Sequence, residues 1–420
     1  MSAAGPSQGA NHAPSGGVGA HFRARADRSA PVLIVGGGIG GMAVALALSQ
    51  SGFAVELFEQ SAEIGEIGAG LQLGPNGFAA MDALGVGERA RKRAVYTDEL
   101  VMMDAIDGNE VARVPVGEAF RRRFNNPYAV IHRADIHQSV YEEVQLSPDI
   151  AVRTSARIVR VDIEGRHVRL VDANGGTHEG AAVIGCDGVH SVVRERLIGD
   201  AHRVSGHVVY RAVVPRADMP ADLCWNAAAI WVGPNCHLVH YPLRGGEQYN
   251  IVVTFHSRQQ EEWGVREGSR DEVMSYFTEI CDRPRQLLDK PTSWKRWSTA
   301  DRDPVDRWGE GRATLLGDAA HPMLQYLAQG ACIALEDAVT LREALKACEG
   351  ELEPAFRLYE SKRIVRGARL IISAREMGRI YHAKGVERLV RNSLWAGRTP
   401  DRFYDALEWL YGWTVEKCLA

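Results

Sequence analysis

The sequence predicts an α/β fold, in which a parallel doubly wound unit is interleaved with a separate β-sheet domain and followed by helices. Three observations predict it. An apolar run, a glycine-rich turn and an apolar helical stretch open the folded part at residues 32–48. A strand-rich stretch occupies residues 206–257, and apolar side chains recur at helical spacing beyond residue 353. At 420 residues the chain exceeds one simple core and suits two or three interleaved lobes.

Taken in order, residues 1–30 are rich in Gly, Ala, Ser and Pro and hold little apolar surface, so a disordered tail is expected. Pro31 opens the folded part. Val32 to Val35 form a continuous apolar run, as a strand buried on both faces requires. A helix is expected through Leu48, stopped at Ser51-Gly52, and a second strand over Ala54 to Phe58. Residues 150–186 alternate apolar and polar side chains and end in the apolar run Ala181 to Ile184, which reads as a return to the first unit. Strands are expected over Gly206–Pro215, Ala228–Trp231, Cys236–Pro242 and Gln248–Phe255, with a hairpin turn at 244–247. A buried strand near 312–318 and a helix over about 329–347 follow. The resulting division is 31–205 with 300–347 for the first unit, 206–299 for the sheet domain and 348–420 for the terminal helices. In those helices Arg363, Arg366, Arg369 and Arg375 read as a solvated face. The aromatic cluster Trp409, Tyr411 and Trp413 reads as core in preference to a homodimer face.

Composition narrows the function. A net charge of -4 gives no basis for binding nucleic acid or anionic lipid. No apolar run approaches the roughly 20 residues that cross a bilayer. Seven cysteines lie far apart with no Cys-x-x-Cys pair, which points to reduced thiols in the cytoplasm and against a zinc site.

The turn Gly36-Gly37-Gly38-Ile39-Gly40-Gly41 satisfies G-x-G-x-x-G with Gly36, Gly38 and Gly41. These glycines serve a tight turn, close approach of backbone to a pyrophosphate, and packing of helix on strand. Glu59 ends the second strand, where a carboxylate can accept hydrogen bonds from ribose hydroxyls. Together they mark a Rossmann-type dinucleotide site without distinguishing one dinucleotide from another.

Three further stretches decide between them. Gly185-Cys186-Asp187-Gly188-Val189-His190-Ser191-Val192-Val193-Arg194 has the form D-G-x-x-S-x-x-R, Gly317-Asp318-Ala319-Ala320-His321-Pro322 is a second acidic glycine motif, and His132-Arg133-Ala134-Asp135 is an H-R segment. The sequence thereby resembles the FAD-dependent aromatic hydroxylases, the single-component flavoprotein monooxygenases related to p-hydroxybenzoate and salicylate hydroxylase. The resemblance implies a p-hydroxybenzoate hydroxylase-like fold with FAD bound and NADH or NADPH as co-substrate. It implies that Asp187 serves FAD and the nicotinamide donor, that Asp318 holds the ribityl chain, and that Arg133 lies beside the cofactor. Gly330 would open a helix whose dipole favours negative charge on the flavin ring. His321, adjacent to proline in a tight loop, reads as structural. The loop Gln325-Tyr326-Leu327-Ala328-Gln329-Gly330 departs from the family's usual Pro-x-x-Gly-Gln-Gly, with Gln325 for proline and Ala328 for glycine.

Transfer of an electrophilic oxygen needs an electron-rich ring, and a phenol gains electron density when it loses its proton. A histidine with a near-neutral pKa is the expected base. On Cys236–Tyr241, strand alternation puts His237, Val239 and Tyr241 on one face and His240 on the other. His237 and Tyr241 would then lie roughly 13 Å apart, room for a benzoate-sized ring. The pattern G-P-x-C-H-x-x-x-Y-P-L-R-G-G, with Leu324-Gln325-Tyr326, resembles the branch of the family that hydroxylates 3-hydroxybenzoate. That resemblance implies that His237 deprotonates or polarises the phenol, Gln325 holds the same oxygen and Tyr241 positions the ring, giving 2,5-dihydroxybenzoate (gentisate). Hydroxylation of salicylate or a hydroxynicotinate stays open within the family, as does a flavin dehydrogenase, oxidase or redox sensor outside it. Arg211 and Arg244 are the nearest candidates for a carboxylate, and both read as surface or turn residues.

Overall fold

The computed structural model describes residues 30–65 and 70–420; apart from Ala30, the expected N-terminal tail lies outside the described residues. Its first sheet has five parallel strands in the order Ala313–Leu315, Ala182–Gly185, Val32–Val35, Val55–Phe58 and Ile150–Arg153. All four residues of Val32–Val35 are buried, as layers on both faces of a parallel strand demand. The helix Ile39–Gln50 covers one face and packs on the helix Gly330–Ala347. Val32–Val35 continues through its helix to Val55–Phe58 on one side and pairs with the much later Ala182–Gly185 on the other. This reversal opens a crevice beyond the carboxyl ends of those strands, the usual ligand position in such sheets. Gly36 and Cys186 are the first residues past the two paired strand ends, so this pairing brings both motifs to one place.

The second sheet has eight strands in the order Gly264–Glu267, Lys295–Asp301, Arg203–Pro215, Gln248–His256, Cys236–Leu243, Ala227–Gly233, Glu99–Asp104 and Glu110–Pro115. The four strands expected over 206–255 are all present. The division drawn from sequence needs one correction: the sheet takes two strands from residues 99–115, which that division put in the first unit. Glu99–Asp104 pairs in parallel with Ala227–Gly233, and local alternation cannot reveal so distant a partner. One face of the sheet buries Trp231, Leu238, Val253 and Phe255, and the other turns Ile230, Val239 and Val252 toward the first unit.

The helix Leu352–Tyr381 overturns the reading of Arg363, Arg366 and Arg375 as a solvated face and keeps it for the exposed Arg369. Arg363 is 1% exposed and binds Asp337 at 2.6 Å and Glu336 at 2.8 Å. Arg366 also binds Glu336, Arg375 pairs with Asp301 and Asp303, and Arg369 lies over the Trp409 ring. The reason is the adjoining helix, which carries Glu336 and Asp337 fully buried; unpaired carboxylates there would each be strongly destabilising. Val365 and Ile372 point outward instead, 75% and 52% exposed. Tyr411 and Trp413 are buried in the core, as expected. The seven cysteines are free thiols, and among the described residues no helix is long and apolar enough to cross a membrane.

Candidate active site

One cavity of about 1090 Å3 runs from the glycine turn to the inner face of the second sheet. Of the residues singled out from sequence, Gly36, Gly38, Glu59, Arg133, Asp187, Asp318, Gly330, His237, Tyr241 and Gln325 all line it. Gly41 stands behind the turn. A Cβ on Gly41 would fall 1.9 Å from the Gly36 carbonyl oxygen, and Gly36, at φ +106°, would collide with the Cys186 carbonyl at 2.4 Å. Both positions therefore admit only glycine. Glu59 accepts hydrogen bonds from the backbone N–H groups of Gly37 and Ser61, each at 2.8 Å, which fixes its carboxylate at the turn. His137, a residue without a sequence signal, braces the turn from behind at 2.7 Å from the Gly37 carbonyl.

The two acidic glycine motifs are joined by Arg194. Asp187 accepts hydrogen bonds from the Ser191 hydroxyl and, at 2.7 Å, from the Val192 N–H, so it caps the short helix Val192–Leu197. That helix carries Arg194, which is fully buried. Its guanidinium binds Asp200 at 2.8 Å and donates to the carbonyls of Ala319 and Ala320 at 2.9 and 2.7 Å. The loop bearing Asp318 is thus held in register with the loop bearing Asp187. His321 bonds Asp337 at 2.5 Å in the buried ionic network, in keeping with a structural residue. Arg133 is the first residue of the helix Arg133–Leu146.

Across the second sheet, strand register sets the substrate wall. Arg211, Val252, Val239, Ile230 and Met102 form one row of cross-strand neighbours, and every member lines the cavity. The row on one side places Thr254 opposite His237; the row on the other places Ala228 and Leu100 beside Tyr241. Alternation thus puts His237, Val239 and Tyr241 on the cavity face. His240 faces the other way, packed near Trp225, and among the described residues neither of its ring nitrogens has a partner. Gln325 sits in a short 3-10 turn and donates to the Thr254 hydroxyl at 3.4 Å, which brings it beside His237. Ala328 occupies the left-handed region at φ +52°, which explains the usual glycine there.

Arg211 is half-buried on this wall, not out on the surface. Burial lowers its pKa, partly offset by Tyr241, and its charge has no carboxylate to answer it among the described residues. Arg244 lies at the turn, as expected, near Asp135. The near-neutral histidine expected from sequence needs correction. Burial, followed by His207 and His256, pushes His237 down to about 3, so the free site holds a neutral imidazole with an open lone pair but a basicity that burial weakens. Its Nδ1 lies 2.7 Å from Nε2 of His382.

Comparison with known proteins agrees with this geometry. Residues 29–371 match the model of the FAD binding domain family. The chain belongs to that family. It is 65% identical to a 3-hydroxybenzoate 6-hydroxylase of Polaromonas naphthalenivorans (strain CJ2), over 93% of this chain and 98% of the relative. It is 62% identical to a 3-hydroxybenzoate 6-hydroxylase of Klebsiella oxytoca, over 92% and 98%. Among solved structures, HpxO of Klebsiella pneumoniae, complexed with FAD and uric acid, shares the fold at TM-score 0.79 and 24% identity, covering 91% of this chain and 97% of that one.

The residues of this FAD-binding chain fit their cofactor. The helix Ile39–Gln50 starts at Gly38 with no side-chain cap and no acidic residue in its first turn. Its open N–H groups and positive dipole end suit a pyrophosphate. The helix Gly330–Ala347 also begins on the cavity with no side-chain cap and no acidic residue in its first turn, a favourable environment for negative charge on a ring. The volume exceeds the several hundred Å3 usual for one small ligand, leaving space for a dinucleotide and a second molecule. Sequence reasoning missed Thr254, His256, His207 and His382. The first two carried a signal, since Thr254 and His256 alternate onto one strand face; His382 carried none.

Proposed function

We propose that this protein is an FAD-dependent monooxygenase that uses reduced nicotinamide and O2 to hydroxylate 3-hydroxybenzoate, forming 2,5-dihydroxybenzoate. The observation that carries the reading is the meeting of His237, Gln325 and Tyr241 in the same cavity as the dinucleotide turn. Bound FAD supplies the redox chemistry that activates oxygen. The chain's own residues bind, orient and deprotonate the ring. Arg211 receives the substrate carboxylate, because it is a half-buried cation facing the cavity with no acidic partner among the described residues. Tyr241, 2% exposed, fixes the ring edge; burial pushes its hydroxyl pKa up, so it stays a neutral donor. His237 takes the phenol proton and the Gln325 amide donates to the oxygen left behind. The resulting negative charge raises electron density para to that oxygen, at ring position 6. Met102, Ile230, Val239 and Val252 form an apolar floor that keeps water from the reacting face.

The test is a panel of 2-, 3- and 4-hydroxybenzoate and 6-hydroxynicotinate, each incubated with holoenzyme and NADH or NADPH. The reading expects 2,5-dihydroxybenzoate from the 3-isomer as the main product. Faster product formation from another acid would overturn the substrate assignment.

A further inference from the structure

Four histidines from four separated stretches of sequence converge behind the substrate wall. His237 Nδ1 lies 2.7 Å from His382 Nε2, and His382 Nδ1 lies 2.8 Å from His256 Nε2. Both nitrogens of the His382 ring are therefore used, one toward His237 and one toward His256. His237 is 4% exposed and His382 5%, whereas His256 is half-buried. The line thus leads from the cavity outward. His207 stacks on His256 with ring centroids 4.2 Å apart, and its Nδ1 bonds the Tyr326 hydroxyl at 2.5 Å.

The arrangement is held by backbone as well as side chains. Asn235, at φ +57° in the turn before Cys236, donates its N–H to the His382 carbonyl at 3.1 Å. Its own carbonyl accepts the His256 N–H at 3.0 Å. One turn residue therefore sets the spacing of two of the imidazoles. His382 itself sits at the end of the long helix Leu352–Tyr381, so its ring is fixed by a different element from His237.

We propose that His382 and His256 form a proton relay that carries the substrate's phenol proton from His237 to solvent. This inference rests on the hydroxylase reading above. The phenol O–H bond breaks and its proton joins Nε2 of His237. The proton on Nδ1 of His237 passes to Nε2 of His382, and that on Nδ1 of His382 passes to Nε2 of His256. His256 then releases the proton on its other ring nitrogen to water. No electrons move, and the net change is one phenolate in the site and one proton in solvent. Protonation of the product on release runs the path backward and restores the starting tautomers.

Electrostatics gives the relay its reason. Burial holds every member below the ordinary histidine range, so no imidazolium persists at neutral pH. A proton taken by His237 must therefore leave the interior. The groups facing the chain do not trap it: among the described residues none of the four histidines bonds a carboxylate. Lys384 lies near His256 and Arg203 near His207, both disfavouring a second positive charge, with Asp301 near His207 as the opposing group. Tyr326 and Tyr381 pack against His237, and burial pushes both hydroxyls up, so they stay neutral.

The experiment mixes FAD-loaded enzyme with 3-hydroxybenzoate in weak buffer and follows a pH indicator by stopped flow. Wild type is expected to release a proton as substrate binds. His382→Phe and His256→Phe are expected to slow that release and kcat by about tenfold or more, with substrate affinity held within about threefold. Their kcat is expected to climb with pH as hydroxide takes over the task, and added imidazole is expected to restore His256→Ala. Because His382→Phe disturbs a buried position, His256→Phe at the half-buried end decides the matter if the first loses FAD. Proton release and kcat at wild-type rates in His256→Phe would overturn the relay while leaving hydroxylation intact. Failure of wild type to form dihydroxybenzoate would instead overturn the reading on which it rests.

Discussion

The Gln325 side-chain amide donates to the Thr254 hydroxyl at 3.4 Å, joining the loop after the second acidic glycine motif to the middle of the substrate sheet. Thr254 is the cross-strand neighbour of His237. The two groups assigned to the phenol oxygen thus come from separate units and meet at one cross-strand pair of the sheet.

His237→Ala is expected to keep FAD and the fold but lose about a hundredfold or more in kcat, the usual size of a general-base effect. Flavin absorbance and steady-state turnover with 3-hydroxybenzoate check it. Turnover within a few-fold of wild type would remove His237 from the chemistry.

Arg211→Met is expected to raise KM for 3-hydroxybenzoate by roughly tenfold to a hundredfold, the size of one lost charged hydrogen bond. A neutral analogue, 3-hydroxybenzyl alcohol, should barely distinguish the variant from wild type. Equal losses for both compounds would assign Arg211 to packing instead.

Arg194→Ala removes a buried cation that binds Asp200 and two carbonyls of the neighbouring motif loop. The expected cost is about 2–4 kcal/mol, because two carbonyls lose their buried donor while Asp200 keeps Arg302, with loss of FAD during purification. Thermal unfolding of apo and FAD-loaded protein measures both effects. A variant as stable and as yellow as wild type would contradict the bracing assigned to this residue.

Stability should fall as pH drops from about 6.5 toward 4. His237 and His240 are held down to about 3 and His207 to about 4, mainly by burial. Between those values and the unfolded-state pKa near 6.5 the unfolded chain binds more protons. Their stabilising contribution is therefore complete above pH 6.5 and lost on acidification, at no more than about 1.4 kcal/mol per pH unit for each group. His240→Phe removes an imidazole with neither nitrogen partnered among the described residues. Its melting temperature should depend less on pH between 6.5 and 4.5; an unchanged slope would contradict the assignment.

Much of this was legible from local patterns. The apolar run Val32–Val35, the glycines after it and Glu59 specify a βαβ start, because each follows from short-range geometry. Strand alternation separated His237, Val239 and Tyr241 from His240. Relations across long stretches of chain were not legible. Residues 99–115 give no sign that they extend the second sheet, and Arg363 and Arg366 look solvated until Glu336 and Asp337 are seen beneath them. Arg211 looks like an ordinary strand residue until register sets it in line with Val239. Burial also moved His237 away from the near-neutral pKa that chemistry alone suggested.

The most direct measurement is mass spectrometry of the product formed by wild-type holoenzyme from 3-hydroxybenzoate, reduced nicotinamide and 18O2. The account predicts 2,5-dihydroxybenzoate carrying one 18O in its new hydroxyl. Unchanged 3-hydroxybenzoate, with hydrogen peroxide equal to the nicotinamide oxidised, would contradict it.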